Sequence, residues 1–463
     1  MSAPVIWIVI PFIAALVLWF LQDKRRLSLL ISVGLSFLLG LLALFQNINS
    51  AFRIGSVVIN IPSTMTILGR NFILGNDDRI FLAFIFLSMV FWCFSAQAVG
   101  TSSKFIPISF AVVSFLIAAL SVEPFLYSAI FVELAVIVCL PILVKRGKPV
   151  GKGILRFLIF QSLAMPFILL AGWILSGVQT SFSDLRQLYL AALFLGLGFA
   201  FWLGIFPFHF WIPEFCEEND FFANGFVLSI FPASIILIML DFINGLTWLR
   251  DSAFLVPVLR VCGTLMIATG GIWAAMQKNL RRVIGYVAIL QTGFLLVDIS
   301  LQTELGTKPF YFSILSRGLE MGLLILALKI LQGEDQEINL SNIDGKFKEY
   351  PLATIGLLVG MFSSAGLPLL ASFPSRVILF TSLTDTPNII YWNLAGCIAV
   401  LLITCSILRH FFGGRISHGS LQETRLQELL IGAGLIIILI IGVFPSVINQ
   451  TLWSKISVLL TMK

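Results

Sequence analysis

Long apolar runs alternate along the chain with short segments that carry charge, glycine or proline. A bilayer-spanning helix needs roughly 20 apolar residues, and the runs are continuous, unlike the alternating segments of a membrane β-barrel. The run 376–408 is long and contains Asp385 and Pro387, so we expect a break or a short extra helix there. The pattern predicts about fourteen transmembrane helices, near residues 4–21, 27–45, 79–99, 105–122, 125–144, 155–177, 187–208, 222–244, 253–275, 282–300, 309–331, 351–372, 376–408 and 427–448.

Residues 46–78 interrupt this pattern. They include the β-branched alternation Ser-Val-Val-Ile-Asn-Ile at 56–61, which favours extended backbone. We therefore expect a hairpin or loop outside the membrane between the second and third predicted helices.

The composition agrees with a polytopic membrane protein. Of 463 residues, 59% are hydrophobic and 11% are charged, whereas soluble domains carry about 25% charged residues. This excludes a cytosolic enzyme, a nucleic-acid-binding protein and a disordered chain. Six scattered cysteines without a CxxC pair and three histidines indicate neither a disulfide framework nor a metal site, and no nucleotide-binding or nucleophilic-triad motif is recognisable.

The basic residues predict the orientation. Loops on the side of Lys24, Arg25 and Arg26 hold eighteen lysines and arginines, and the opposite side holds eight. The positive-inside rule therefore places the 145–156 loop in the cytoplasm and both termini outside.

Helix breakers recur in two predicted spans: Gly204 and Pro207 in the seventh, and Gly366, Pro368 and Pro374 in the twelfth. Breaks five spans apart suggest two five-helix repeats of inverted topology, a pattern that places ion sites at the repeat interface. The domain prediction is a three-helix region with an outer loop (1–103), two repeats (104–246 and 247–411), and a cytoplasmic loop with a C-terminal helix (412–463).

Ionisable residues inside predicted spans are functional candidates, because burying them is costly. Glu133 lies about eight residues, or roughly 12 Å, from the outer end of its span and suits a proton relay; a static helix–helix hydrogen bond is the alternative. Arg317 and Glu320 share one helix face, as part of a charge chain or as a self-neutralising pair. Arg376 follows the second break and could tune a neighbour, although its guanidinium will not release a proton.

The segment Phe206–Glu214 places His209 at the cytoplasmic end of the first break. Histidine titrates near neutral pH and suits proton uptake, and an interfacial anchor is the alternative. We interpret the acidic cluster Glu214, Glu217, Glu218 and Asp220 as a solvated loop.

Three motifs resemble one family. Residues 198–213 (GFAFWLGIFPFHFWIP), 277–294 (QKNLRRVIGYVAILQTGF) and 364–380 (SAGLPLLASFPSRVILF) are similar to the seventh helix, the tenth helix with its loop, and the broken twelfth helix of the antiporter-like membrane subunits of respiratory complex I. The superfamily includes Mrp-type antiporters and membrane-bound hydrogenases. The resemblance implies a fourteen-helix all-α fold with inverted five-helix repeats and broken helices 7 and 12.

The resemblance assigns roles to individual positions, and three of them depart from the family pattern. Glu133 matches the fifth-helix glutamate, but Trp202 stands where the seventh-helix lysine is expected. The lysine expected on the eighth helix, near Pro232 or Ala233, is also absent. Arg317 replaces the eleventh-helix histidine, and Arg376 matches the twelfth-helix lysine.

By this resemblance the chain is a non-redox membrane-arm subunit of a complex I-like proton pump coupled to quinone reduction. A non-pumping scaffold and a component of a Mrp-type Na⁺/H⁺ antiporter are the alternatives. We expect no bound cofactor, because electron transfer and quinone would belong to partner subunits. We expect the chain to lie in a prokaryotic inner membrane or an energy-converting organelle membrane, contacting lipid and other membrane subunits.

Overall fold

The computed structural model describes residues 2–48, 51–54, 57–144, 147, 149–178, 185–218, 220–301, 304–333, 337–413 and 421–445. Helices dominate this part of the chain. The first begins with a π-helical stretch at Val5–Val9, and the α-helices follow as α1 (Ile10–Phe20), α2 (Arg25–Phe45), α3 (Arg79–Ala98), α4 (Phe105–Ser121), α5 (Ser128–Leu143), α6 (Lys152–Val178), α7 (Leu185–Leu203), α8 (Trp211–Glu217), α9 (Phe221–Gly245), α10 (Thr247–Arg250), α11 (Leu255–Ala275), α12 (Leu280–Ile299), α13 (Glu304–Gln332), α14 (Pro351–Ser364), α15 (Phe373–Ser382), α16 (Pro387–Gly413) and α17 (Arg425–Val443).

The all-α membrane prediction is confirmed. Within the described residues, ten helical segments are long and apolar enough to cross a bilayer, and three shorter apolar helices accompany them at Val5–Phe20, Phe105–Ser121 and Pro351–Ser364. The predicted run 376–408 is not one span, because α15 ends at Ser382 and α16 begins at Pro387. The end of the last predicted span, 446–448, lies outside the described residues.

The predicted hairpin region between α2 and α3 contains four short strands, β1 (Ala51–Ile54), β2 (Val57–Asn60), β3 (Thr64–Ile67) and β4 (Arg70–Ile73). β1 pairs with β2 and β3 pairs with β4, both antiparallel. A two-residue strand, β5 (Val122–Glu123), joins the edge of β4. The prediction of a hairpin at this place is confirmed.

α9 and α12 lie at the centre of the helix assembly, and nearly all of their residues are buried. Aromatic side chains fix α9 against its neighbours: Trp92 of α3 packs edge-on against Phe222 and Phe226, and Phe105 of α4 contacts the same two rings. Edge-to-face pairs of this kind add to the area that they bury. The polar groups that α9 and α12 carry are therefore enclosed mostly by other helices.

Candidate functional site

Two helix breaks share one backbone design. α7 ends at Leu203, directly before Gly204, and α14 ends at Ser364, two residues before Gly366. Both glycines have a left-handed backbone, with φ of 59° and 82°. In each break the N–H after the glycine donates to the carbonyl five residues back, at 2.9 Å after Gly204 and 3.2 Å after Gly366. This is a Schellman ending, which needs a residue that tolerates positive φ. Pro207 and Pro368 follow and prevent the helices from continuing.

Beside the second break, Glu320 of α13 is fully buried and accepts four side-chain hydrogen bonds. The donors are the hydroxyls of Ser363, Ser364 at 3.2 Å and Ser372 at 2.6 Å, and the amide of Gln291 at 2.7 Å. A carboxylate has about four acceptor positions, so these donors replace its hydration. Each serine hydroxyl can also turn and accept, so the site can hold Glu320 with or without its proton.

Arg317 does not form the self-neutralising pair with Glu320 that one interpretation of the sequence allowed. Its guanidinium donates to the carbonyls of Leu228 at 2.9 Å and Ser229 at 3.1 Å on α9. Proline has no N–H for the carbonyl four residues before it, and Pro232 therefore leaves the carbonyl of Leu228 without its helical partner. Arg317 binds where this helix is interrupted.

The contact of Arg317 with α9 brings a positive charge close to the position where the family lysine is absent. Pro232 and Ala233, where the resemblance expects a lysine on α9, are both buried. Neither can carry charge. The buried guanidinium of Arg317 reaches one turn of the same helix from α13, so a fixed positive charge is present near this turn although the lysine is absent.

Arg376 lies in the first turn of α15 and is buried at 4% exposure. Its guanidinium carbon lies 3.2 Å from the centroid of the Phe294 ring, a cation–π arrangement. Gly366 leaves room for the side chain, since a Cβ there would lie 3.0 Å from Cγ of Arg376. Nε and Nη1 of Arg376 have no hydrogen-bond partner among the described residues.

The first break has a smaller polar site. Glu133 of α5 is partly buried, and one carboxylate oxygen accepts from Ser162 of α6 at 2.6 Å. The neighbouring Gln161 donates to the backbone carbonyl of Trp202 at 2.9 Å. Within the described part of the chain, Oε2 of Glu133, Oε1 of Gln161 and Nε1 of Trp202 are buried without a partner. Buried polar atoms are almost always hydrogen-bonded, often to water, so this region is suited to hydration.

His209 lies in the short turn between α7 and α8, and its ring stacks on Phe206 with the centroids 5.6 Å apart. Its Nδ1 is buried and has no partner among the residues described here. The structure therefore keeps both interpretations of His209 open, an anchor among aromatic rings and a proton-accepting group beside the first break.

The interpretation of the acidic cluster as a solvated loop is wrong. Glu214 pairs with Arg156, and Glu217 pairs with Arg282. The carboxylate of Glu218 accepts from two backbone N–H groups in the first turn of α6, where helix donors lack partners. These acids join α8 to α6 and α12.

Sequence reasoning missed most of the groups that surround Glu320. Gln291, Ser364 and Ser372 lie within the motifs that carry the family resemblance, but nothing local shows that they converge on one carboxylate. Asp298 was missed for a different reason. It is an acid inside the predicted span 282–300, so the signal that selected Glu133 could also have found it.

No group of three His, Cys, Asp or Glu side chains arranged to hold a metal ion occurs in the described part of the chain. The sites around Glu320 and Glu133 can hold or pass a proton. Glu320 and Glu133 can gain and lose one, and the hydroxyls beside them can relay it. Arg317 and Arg376 keep their charge at ordinary pH and set the local potential.

Curated relatives share part of their length with this chain. One is the NAD(P)H-quinone oxidoreductase chain 4 1 of Synechococcus elongatus, 29% identical over 325 residues, which cover 64% of this chain and 59% of the relative. Another is the NADH-quinone oxidoreductase subunit N of Wolbachia sp. subsp. Brugia malayi, 27% identical over 191 residues, which cover 41% and 40%. The matched regions thus span about two fifths to three fifths of these relatives.

Solved structures show the same fold over nearly the whole chain. A chain of respiratory complex I from Thermus thermophilus matches with a TM-score of 0.80 and 18% identity, covering 98% of both chains. A chain of the Mrp complex from Dietzia sp. matches with a TM-score of 0.83 and 15% identity, covering 97% of this chain and 96% of that one. Residues 79–402 match the family described as NADH:quinone oxidoreductase/Mrp antiporter, transmembrane. This chain therefore belongs to the NADH:quinone oxidoreductase/Mrp antiporter membrane family.

Proposed function

We propose that this chain is a membrane-arm subunit of a redox-driven, complex I-like proton pump and contributes to proton translocation coupled to quinone reduction. The observation that carries the proposal is the site of Glu320, a fully buried acid that accepts hydrogen bonds from α12, α14 and the turn before α15. An intramembrane carboxylate held in this way is costly to bury and indicates a function.

The proposed proton pathway consists of Glu133, His209, Arg317, Glu320 and Arg376. His209 and Glu133 serve the half around the first break, where buried polar atoms without partners favour water. Glu320 carries the proton at the second break. Arg317 and Arg376 remain charged and lower the cost of leaving the acid ionised.

We also propose that residues 104–246 and 247–411 are the two inverted repeats. Supporting this division, each contains one helix that stops in a Schellman ending and resumes after a proline. The remaining regions are 1–103 and 412–463, and residues 414–420 and 446–463 lie outside the described part of the chain.

The proposal gives the chain other membrane subunits as partners. The similar chains come from assemblies named as respiratory complex I, a membrane-bound sulfane sulfur reductase and a Mrp complex. Quinone and the electron carriers would belong to partner subunits, and the chain itself would hold no cofactor. It would lie in a prokaryotic inner membrane or an energy-converting organelle membrane, with both termini on the outer side.

A two-stage experiment tests this function. The tagged protein is first purified in mild detergent, and the proteins that accompany it are identified. Iron–sulfur and quinone-site subunits are the expected partners. The assembled complex is then reconstituted in liposomes, and protons moved per electron are compared for the native chain, Glu320→Gln, Glu133→Gln and the exposed control Asp251→Asn. The proposal expects the first two variants, but not the control, to move fewer protons. Unchanged pumping in both would refute it.

The same experiment separates the two alternatives. A non-pumping scaffold is favoured by the absence of lysines at Trp202 and at the Pro232–Ala233 pair, where the family resemblance expects them. Such a scaffold would assemble normally, and neither glutamine variant would change the number of protons moved per electron. A Mrp-type Na⁺/H⁺ antiporter component would instead be recovered with sibling antiporter subunits and without iron–sulfur proteins.

A further inference from the structure

Asp298 is a buried acid that the proposed pathway does not use. It lies in the last turn of α12, at the end opposite the basic loop that precedes this helix, and is 1% exposed. No described group meets ordinary hydrogen-bond distance and geometry with either carboxylate oxygen, and the hydroxyl of Ser313 on α13 is placed to act on the carboxylate. A buried acid without a direct hydrogen bond is costly, so its presence here calls for a functional explanation.

Its surroundings are polar and incompletely bonded. Arg376 is close enough for its charge to act on Asp298, and Ser313 of α13 faces the same carboxylate. Nε and Nη1 of Arg376 and the hydroxyl of Ser313 are also buried without partners in the described part of the chain. Buried polar atoms without a protein partner are commonly satisfied by ordered water.

Two further charged or titratable groups belong to this environment. Arg260 of α11 donates to Ser300, two residues beyond Asp298, at 3.4 Å. Cys397 of α16 lies within range of the charge of Arg376. Among the described residues, Asp298 and Glu320 are thus acids on which the charge of Arg376 acts.

A line of hydroxyls on α13 leads from Glu320 toward Asp298. Ser313, Ser316 and Glu320 are spaced by three and four residues on α13, which places them along one helix face. The hydroxyl of Ser372 contacts both Ser316 at 3.3 Å and Glu320 at 2.6 Å. From Glu320 to Ser313 the helix rises about 10 Å, so the line leads from the acid beside the break toward the end of α12 where Asp298 lies.

We propose that Asp298 is a second proton-carrying residue of this chain, which takes the proton from Glu320 and releases it at its own end of α12. This rests on the proposed function. The Glu320 carboxyl loses its proton, each hydroxyl or water on the line accepts one proton and donates another, and the Asp298 carboxylate becomes the carboxyl. Arg376 stays charged throughout and balances whichever of the two acids is ionised.

The test uses the complete complex in liposomes. Protons released per electron, and their pH profile, are measured for the native chain, Asp298→Asn, Asp298→Glu and Glu320→Gln. Asp251→Asn is the matched control, because it removes an exposed carboxylate from the loop at the same end of the helices. We expect Asp298→Asn to release as few protons per electron as Glu320→Gln does. Asp298→Glu should restore release with a displaced pH profile, and the control should match the native chain.

The outcomes separate this inference from the proposed function. If Glu320→Gln lowers release and Asp298→Asn does not, the role of Asp298 is refuted and the proposed function stands. If Glu320→Gln has no effect, both are refuted for this site. Should Asp298→Asn fail to assemble, Asp298→Glu decides. A shifted pH profile supports proton transfer, and an unchanged profile shows a structural group only.

Discussion

The contact between Arg317 and the interrupted helix α9 yields a quantitative prediction. The guanidinium binds the carbonyls of Leu228 and Ser229, and Pro232 is the reason that the first of these has no backbone donor. Arg317→Met keeps a long apolar stem and removes both donors. Pro232→Ala restores an N–H that can reach the carbonyl of Leu228.

The magnitude follows from the number of carbonyls left unsatisfied. Each buried acceptor without a partner costs about 1–3 kcal/mol. The carbonyl of Ser229 keeps the N–H of Ala233, four residues on, as its helical partner. Arg317→Met therefore leaves one such carbonyl, that of Leu228, in the native chain and none in the Pro232→Ala background. The loss of unfolding free energy should be larger by about 1–3 kcal/mol when Pro232 is present. Comparing the two backgrounds also cancels the part of the cost of burying the guanidinium that they share.

The assay is reversible unfolding of the purified chain in mixed detergent–SDS micelles, for the native protein, both single variants and the double variant. The double-mutant cycle then gives the coupling energy directly. Additive effects, with a coupling below about 0.5 kcal/mol, would refute the reasoning. They would mean that Arg317 does not replace the donor that Pro232 removes.

Three further predictions concern packing and ionisation. Trp202→Lys should lower the yield of assembled complex on native gels, since a buried indole at 2% exposure is replaced by a charge; full assembly would show a tolerant channel there instead. Gly271→Ala should destabilise the chain to SDS by about 1–3 kcal/mol, because its Cβ would lie 2.2 Å from the carbonyl oxygen of Gly396. Gly196→Ala, with nothing within 4 Å, is its matched control and should be neutral or stabilising. Burial raises the pKa of Glu423, in the segment before α17, above 4.5. The folded chain therefore binds a proton at Glu423 more tightly than the unfolded chain does. The free energy of unfolding should fall as pH rises from 4.5 through the folded pKa. Glu423→Gln should lack that component, and an identical pH dependence would contradict it.

The sequence alone determined the class of protein and most of its helices. Continuous apolar runs of bilayer length can be satisfied in lipid only by helices, because every backbone group must find its partner within the segment. Gly204 and Gly366 also marked the two breaks correctly. A glycine followed by proline is a local stop signal, and it needs no distant contact to act.

Only the tertiary structure decided which polar groups meet. The donors to Glu320 lie on α12 (residue 291), on α14 (residues 363 and 364) and in the turn before α15 (residue 372). Their convergence on one carboxylate depends on how α12, α13 and the second break pack. The same holds for Arg317, whose spacing suggested Glu320 as a partner. Its side chain reaches α9 instead, because Pro232 leaves a carbonyl there and Glu320 is already saturated by neutral donors. Helix spacing fixes the face on which a side chain lies, whereas the partner on that face is set by the neighbouring helices.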